Sequence, residues 1–200
     1  LTGGTDGDCA LITGHEDHGA LGAIKWGSEC QLEFETLVRT GGSTLTQTWG
    51  AGWMTATLTD AAILNHATND NAAYFLFGHD DDAGALADNT ALYFVLNIGA
   101  GNDVRVKLPI TVATNTTYRL GITIDSSRQV SIFVDGVQYS LPATTAAAEY
   151  DSEGAGTGKS APLTNDIDFD PIVALQQQAG DSRILHVSYI KCSRIAFDNS

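Results

Sequence analysis

The chain has 200 residues, 43% of them hydrophobic, and carries 24 acidic against 10 basic side chains for a net charge of −14. That balance repels a phosphate backbone, and no run of Lys and Arg offsets it, so nucleic acid is excluded as a partner. The apolar runs are strand-sized, which excludes a membrane-spanning helix, and three cysteines without a CxxC spacing exclude a disulfide-dense scaffold.

In chain order, short apolar runs at 9–13 (CALIT) and 23–26 flank a turn rich in Gly and His, and both predict edge strands. Residues 31–39 (QLEFETLVR) alternate, with Leu32, Phe34, Thr36 and Val38 on one face and Glu33, Glu35, Leu37 and Arg39 on the other, the pattern of a half-buried strand. Residues 46–56 place Trp49, Ala51 and Trp53 on one side, and the interior glycines predict a bulge or a close backbone approach. Residues 59–67 (TDAAILNHA) begin with capping residues followed by good helix formers, which predicts one helix of about two turns.

Unbroken aromatic and branched runs at 73–78 and 91–98 predict strands buried on both faces, with an acidic loop, 79–89, between them. The second half predicts a meander over 104–108, 117–124, 130–134 and 138–141. Asp135-Gly136 there is a strong signal for a tight hairpin. Residues 142–170 lack periodicity and predict a long loop that touches another part of the molecule or a partner. Two closing strands follow at 172–178 and 184–195, the second with Leu185, Val187, Tyr189 and Lys191 against His186, Ser188, Ile190 and Cys192. The whole predicts a single domain, 1–200.

The segment 116–142 (TTYRLGITIDSSRQVSIFVDGVQYSLP) resembles the concanavalin A-like lectin/laminin-G superfamily, in which a strand ending in Asp, a polar turn and a strand ending in Asp-Gly-Val recur. HVSYIKCSRI, 186–195, resembles the final strand of that fold, and QLEFETLVR an early one. The resemblance implies an all-β jelly-roll sandwich of two antiparallel sheets, here with one short helix. Residues 48–82 are similar to sandwich proteins of tailed bacteriophages, which implies a virion component, on the head or in fibres.

Several motifs bear on chemistry. Glu33 and Glu35 sit on alternate residues of one strand, as in the sandwich glucanases of this superfamily. A laminarinase-type Glu-x-Asp-x-x-Glu pattern would need a carboxylate where Val38 stands, so hydrolysis lacks its second acid. EGAGTGKS, 153–160, has Glu153 where a phosphate-binding loop needs Gly, and neither the preceding strand nor the following helix. His15 and His18 are three apart between glycines, which suits a polar turn rather than zinc. The sequon at Asn115 is short enough to arise by chance.

Two acidic clusters carry oxygen donors of the kind Ca2+ takes: Asp80, Asp81, Asp82 and Asp88, and separately Asp166, Asp168 and Asp170. Solvated acidic loops are the plainer reading of both. Trp49 and Trp53, with Trp26, are the candidate platform on which a sugar ring stacks, against the commoner use of such residues as core. For the cysteines the alternatives are a Cys9 to Cys192 pair or three buried thiols. The expected function is therefore a noncatalytic decoration or fibre protein on a phage virion surface, a homo-oligomer docked to capsid or other virion proteins. The alternative is a lectin-like carbohydrate-binding module, extracellular or on a phage, with a glycan as partner and calcium as its cofactor.

Overall fold

A computed structural model describes residues 9–13, 24–25, 30–42, 47–55, 64, 71–78, 86, 88–98, 103–139, 141, 152–153, 162–164, 167–177 and 184–196. They form thirteen strands: β1 (Cys9–Thr13), β2 (Ile24–Lys25), β3 (Cys30–Thr40), β4 (Gln47–Met54), β5 (Asn71–Phe77), β6 (Ala91–Ile98), β7 (Asp103–Thr111), β8 (Thr117–Ile124), β9 (Val130–Val134), β10 (Val137–Tyr139), β11 (Ser152–Glu153), β12 (Asp168–Gln177) and β13 (Leu185–Ala196). The larger sheet runs β1-β12-β4-β5-β6-β7-β11, with β2 also on β12, and the smaller runs β10-β9-β8-β3-β13. All the pairings are antiparallel.

Alternation decides what lies between the sheets. From the smaller sheet come Leu32, Phe34 and Val38 of β3, with Leu120, Ile122 and Ile124 of β8. From the larger come Trp49 and Trp53 of β4, Phe75 and Phe77 of β5, Phe94 of β6 and Val106 of β7. Phe34 meets Trp53 edge to face across the interface, ring centroids 5.8 Å apart, in the geometry that aromatic quadrupoles favour.

The unbroken apolar runs of β5 and β6 are buried on both faces, as their patterns predict. A second apolar cluster, with Met54, Tyr74, Leu76, Tyr93, Val95 and Ile172, therefore covers the outer side of the larger sheet. Leu64 packs there, directly over Gly50. A β-carbon at position 50 would stand 2.5 Å from Leu64 Cδ2 and 3.2 Å from the Phe75 carbonyl oxygen, so any larger residue would have to push the Leu64 side chain aside. The helix expected over 59–67 lies outside the described residues except for Leu64, which sits in a turn.

The predicted meander is split between the sheets. Strands β8, β9 and β10 are successive neighbours, and the Asp135-Gly136 turn has positive φ at both central residues (52° and 82°), the type I′ geometry that matches strand twist. β7, by contrast, pairs with β6 in the larger sheet. The chain crosses over at 112–116, where the buried Thr40 hydroxyl donates to the carbonyl of Ala113 (2.6 Å) and accepts from the Thr116 amide (3.0 Å). The loop expected over 142–170 contains β11, and β12 starts at Asp168 within it. Its Leu163 is buried in the main core, and its amide donates to the Arg128 carbonyl at 3.1 Å, so this stretch does touch the body of the molecule. Cys192 is a free, half-buried thiol, which removes the Cys9 to Cys192 pairing; burial pushes its pKa up to about 11.

Candidate functional site

The outward side of the smaller sheet holds a groove of about 300 Å3 across β3, β8, β9 and β13. Its position follows from the same alternation that builds the core: Glu33 and Glu35 leave β3 on the face opposite Phe34, and Arg119, Gly121 and Thr123 leave β8 opposite Leu120 and Ile122. In register, Glu35 stands opposite Gly121 on one side and Lys191 on the other, and Gly121 in turn faces Phe133. Gly121 leaves the floor open between the Glu35 carboxylate and the half-buried Phe133, whose Cβ would lie 3.4 Å from a β-carbon at position 121.

The polar groups are linked pairwise. Tyr189 Oη donates to Glu35 Oε1 at 2.7 Å, Arg119 Nε reaches Glu35 Oε2 at 3.1 Å, and Ser193 Oγ donates to Glu33 Oε2 at 3.0 Å. The Glu35 carboxylate accepting its proton holds the Tyr189 phenol above its ordinary value, with Arg119 acting weakly in the opposite sense. The groove thus combines two carboxylates, two cations, the hydroxyls of Thr123 and Ser193 and the outward ring of Phe133, with the Tyr189 phenol bonded to Glu35 beside them. Such a cleft can accept and donate hydrogen bonds around a polyhydroxylated ligand while offering an apolar surface to its carbon face.

Glu33 and Glu35, the pair that lacks the second acid of a glucanase pattern, are brought together on this face. Trp49 and Trp53 are not: both are fully buried between the sheets, Trp49 stacked on Phe77. A buried indole offers no face to a sugar ring, so the expected platform is core. The commoner use of such residues, as core, is the one the structure shows for this pair. Trp26 lies outside the described residues.

The calcium clusters are not assembled among the described residues, where no group of three or more His, Cys, Asp or Glu side chains converges. Asp88 Oδ2 pairs with Lys107 Nζ at 2.8 Å, and its Oδ1 accepts from the Thr90 amide (3.0 Å) and hydroxyl (2.7 Å). These contacts, the Lys107 one foremost, lower its pKa to about 2. A cation here would have to displace an ammonium group. Asp170 is buried in β12 opposite Met54; Asp80, Asp81, Asp82 and Asp166, and the Asp168 side chain, lie outside the described residues.

Sequence reasoning missed Arg119, Phe133, Tyr189, Lys191 and Ser193. The outward positions of β8 and β9 were legible from alternation, but their meeting with β13 requires the β13-β3-β8 order.

No protein-family model and no curated protein matches the chain. Solved structures do match in fold. The potassium-bound carbohydrate recognition domain of Emp46p is similar over 94% of this chain and 79% of its own, with a TM-score of 0.56 at 9% identity. The polysaccharide lyase family 18 protein aly-SJ02 r-CATD is similar over 98% and 83%, with a TM-score of 0.52 at 11% identity. Alginate lyase A1-II′, of polysaccharide lyase family 7, follows over 95% and 80%, with a TM-score of 0.50 at 10% identity.

The chain therefore has the jelly-roll sandwich fold of the concanavalin A-like kind, as its sequence predicts. The expectation of a noncatalytic protein is corrected by the same finding. Lyases stand beside a carbohydrate recognition domain among the structures sharing this fold, so a missing glucanase pattern at Val38 does not argue against catalysis. The likeness to virion proteins gains no support from these structures.

Proposed function

We propose that the chain is a carbohydrate-binding domain that seats a neutral oligosaccharide in the groove across β3, β8, β9 and β13. The carrying observation is the placement of Phe133 beside Glu33, Glu35, Arg119 and Lys191 in one open cleft. An aromatic surface takes the apolar face of a sugar ring, and charged groups make the stronger hydrogen bonds to its hydroxyls. A net charge of −14 opposes the approach of a polyanion, which favours a neutral chain over a uronate polymer. The fold shared with a carbohydrate recognition domain supports the reading.

A second reading, cleavage of an acidic polysaccharide by β-elimination, is favoured by one detail. Tyr189, Arg119 and Lys191 surround Glu35, which supplies a proton-transferring phenol beside two cations able to neutralise a uronate carboxylate. The fold shared with two lyases supports it as well. Among the described residues β13 ends its sheet, with Tyr189 and Ile195 exposed, and this edge suits pairing with a second copy, which sedimentation velocity would read as a dimer.

The test is an array of neutral and acidic glycans, followed by calorimetry on the best ligand and ultraviolet detection of unsaturated product from uronate polymers. Binding of a neutral oligosaccharide is expected. Unsaturated product would replace this reading with the second, and no binding to any glycan would end both.

A further inference from the structure

One residue on the inward side of β3 does not suit its position. Leu32, Phe34 and Val38 are apolar core residues, yet Thr36 between them is polar and fully buried. Its partner lies on the neighbouring strand: Thr36 Oγ1 donates to the backbone carbonyl of Tyr189 at 2.7 Å.

That carbonyl sits at an irregularity in β13. Val187 stands opposite Val38, but Tyr189 stands opposite Leu37, so Ser188 is an extra residue with no counterpart on β3. Because side chains alternate, one extra residue reverses the phase of everything after it. Leu185 and Val187 before the bulge and Ile190 and Cys192 after it all pack on the core. Lys191 and Ser193 turn outward to line the groove, and Tyr189 turns outward to reach Glu35. In an unbulged strand Tyr189 would fall opposite Thr36 and share its inward face. A bulge takes backbone groups out of the ladder, and a buried carbonyl left this way needs another donor.

We propose that Thr36 is a positioning residue of the groove: its hydroxyl caps the carbonyl exposed by the Ser188 bulge and so keeps Tyr189, Lys191 and Ser193 facing Glu33 and Glu35. The structural part stands on geometry alone; its effect on ligand binding rests on the reading of the groove as a glycan site.

Thr36→Val keeps the shape and removes the donor, and Thr36→Ser keeps the donor. Two readouts apply to each. The first is the alkaline titration of Tyr189, isolated as the difference between each variant and the same variant carrying Tyr189→Phe. The groups facing this phenol are Glu35, which accepts its proton, and Arg119 and Lys191 beside it. The second is affinity for the best oligosaccharide on the array.

In Thr36→Val, Tyr189 is expected to titrate at its ordinary value and affinity to fall by about tenfold or more; Thr36→Ser is expected to keep both. If Thr36→Val does not fold, Thr36→Cys, a weaker donor of similar size, is expected to lower the Tyr189 titration towards the ordinary value. A Tyr189 titration equal to the wild type in whichever of these two variants is measured overturns the proposal. If the titration moves as expected while the wild type binds no glycan, the positioning role stands and the glycan reading falls.

Discussion

Replacing Glu35 with alanine separates the groove from the fold. The carboxylate accepts from Tyr189 Oη and pairs with Arg119 Nε, and the side chains of Glu35 and Arg119 are 34% and 57% exposed. An ion pair that open to solvent contributes about 0–1 kcal/mol to stability, because water screens it and two side chains must be held in place. For a domain of this size, 1 kcal/mol corresponds to roughly 2–4 °C in Tm, so Glu35→Ala should melt within about 4 °C of the wild type.

Binding should respond far more. Loss of a charged acceptor that contacts the ligand costs about 1.5–3 kcal/mol, or roughly 10- to 150-fold in Kd. Differential scanning calorimetry and isothermal titration with the oligosaccharide chosen on the array measure the two effects on one sample. An unchanged Kd would refute the placement of the ligand beside Glu35. A fall in Tm of more than about 10 °C would show that the carboxylate belongs to the fold rather than to the groove.

Trp53→Ala should show the reverse balance, losing about 3–5 kcal/mol in urea unfolding because the indole is fully buried against Phe34. Gly121→Val should fill the groove floor next to Phe133 and abolish binding, with stability unchanged within about 0.5 kcal/mol in the same unfolding assay. Asp88 bears on acid stability. Its folded pKa of about 2 lies below its ordinary value of 3.8, so its contribution is present above pH 3.8 and disappears as pH falls towards 2. Asp88→Asn should therefore narrow its stability gap to the wild type over that window, and a gap constant from pH 5 to pH 2 in acid unfolding would contradict the Lys107 pairing.

Much of this architecture is legible in local sequence because its determinants are local. The alternation of residues 31–39 puts Leu32, Phe34 and Val38 inside and Glu33 and Glu35 outside, and the structure keeps that division. The continuous runs of β5 and β6 reveal burial on both faces, and Asp135-Gly136 marks its turn. The errors come from long-range partners. Val187 and Tyr189 share a face in any strict period of two, and only the pairing with β3 shows the extra residue between them. Trp49 and Trp53 share a face in the sequence, but which face is sealed depends on where the other sheet lies. The groove was half visible for the same reason: its carboxylates come from one strand, whereas Arg119, Phe133 and Lys191 arrive from strands up to 156 positions further along the chain, as the Glu35 and Lys191 pairing shows.

The Leu64 contact over Gly50 has a consequence for how this domain can diversify. With apolar side chains buried on both faces of the central strands of the larger sheet, a substitution there must satisfy packing on one side or the other. The outward positions of β3, β8 and β13 carry no such obligation, since the opposite face of those strands already supplies the core. Natural variation can therefore redraft the chemistry of this wall residue by residue at little structural risk, while the covered wall stays conservative. On the proposed reading of this wall as a binding groove, relatives should differ first at positions 33, 35, 119, 191 and 193.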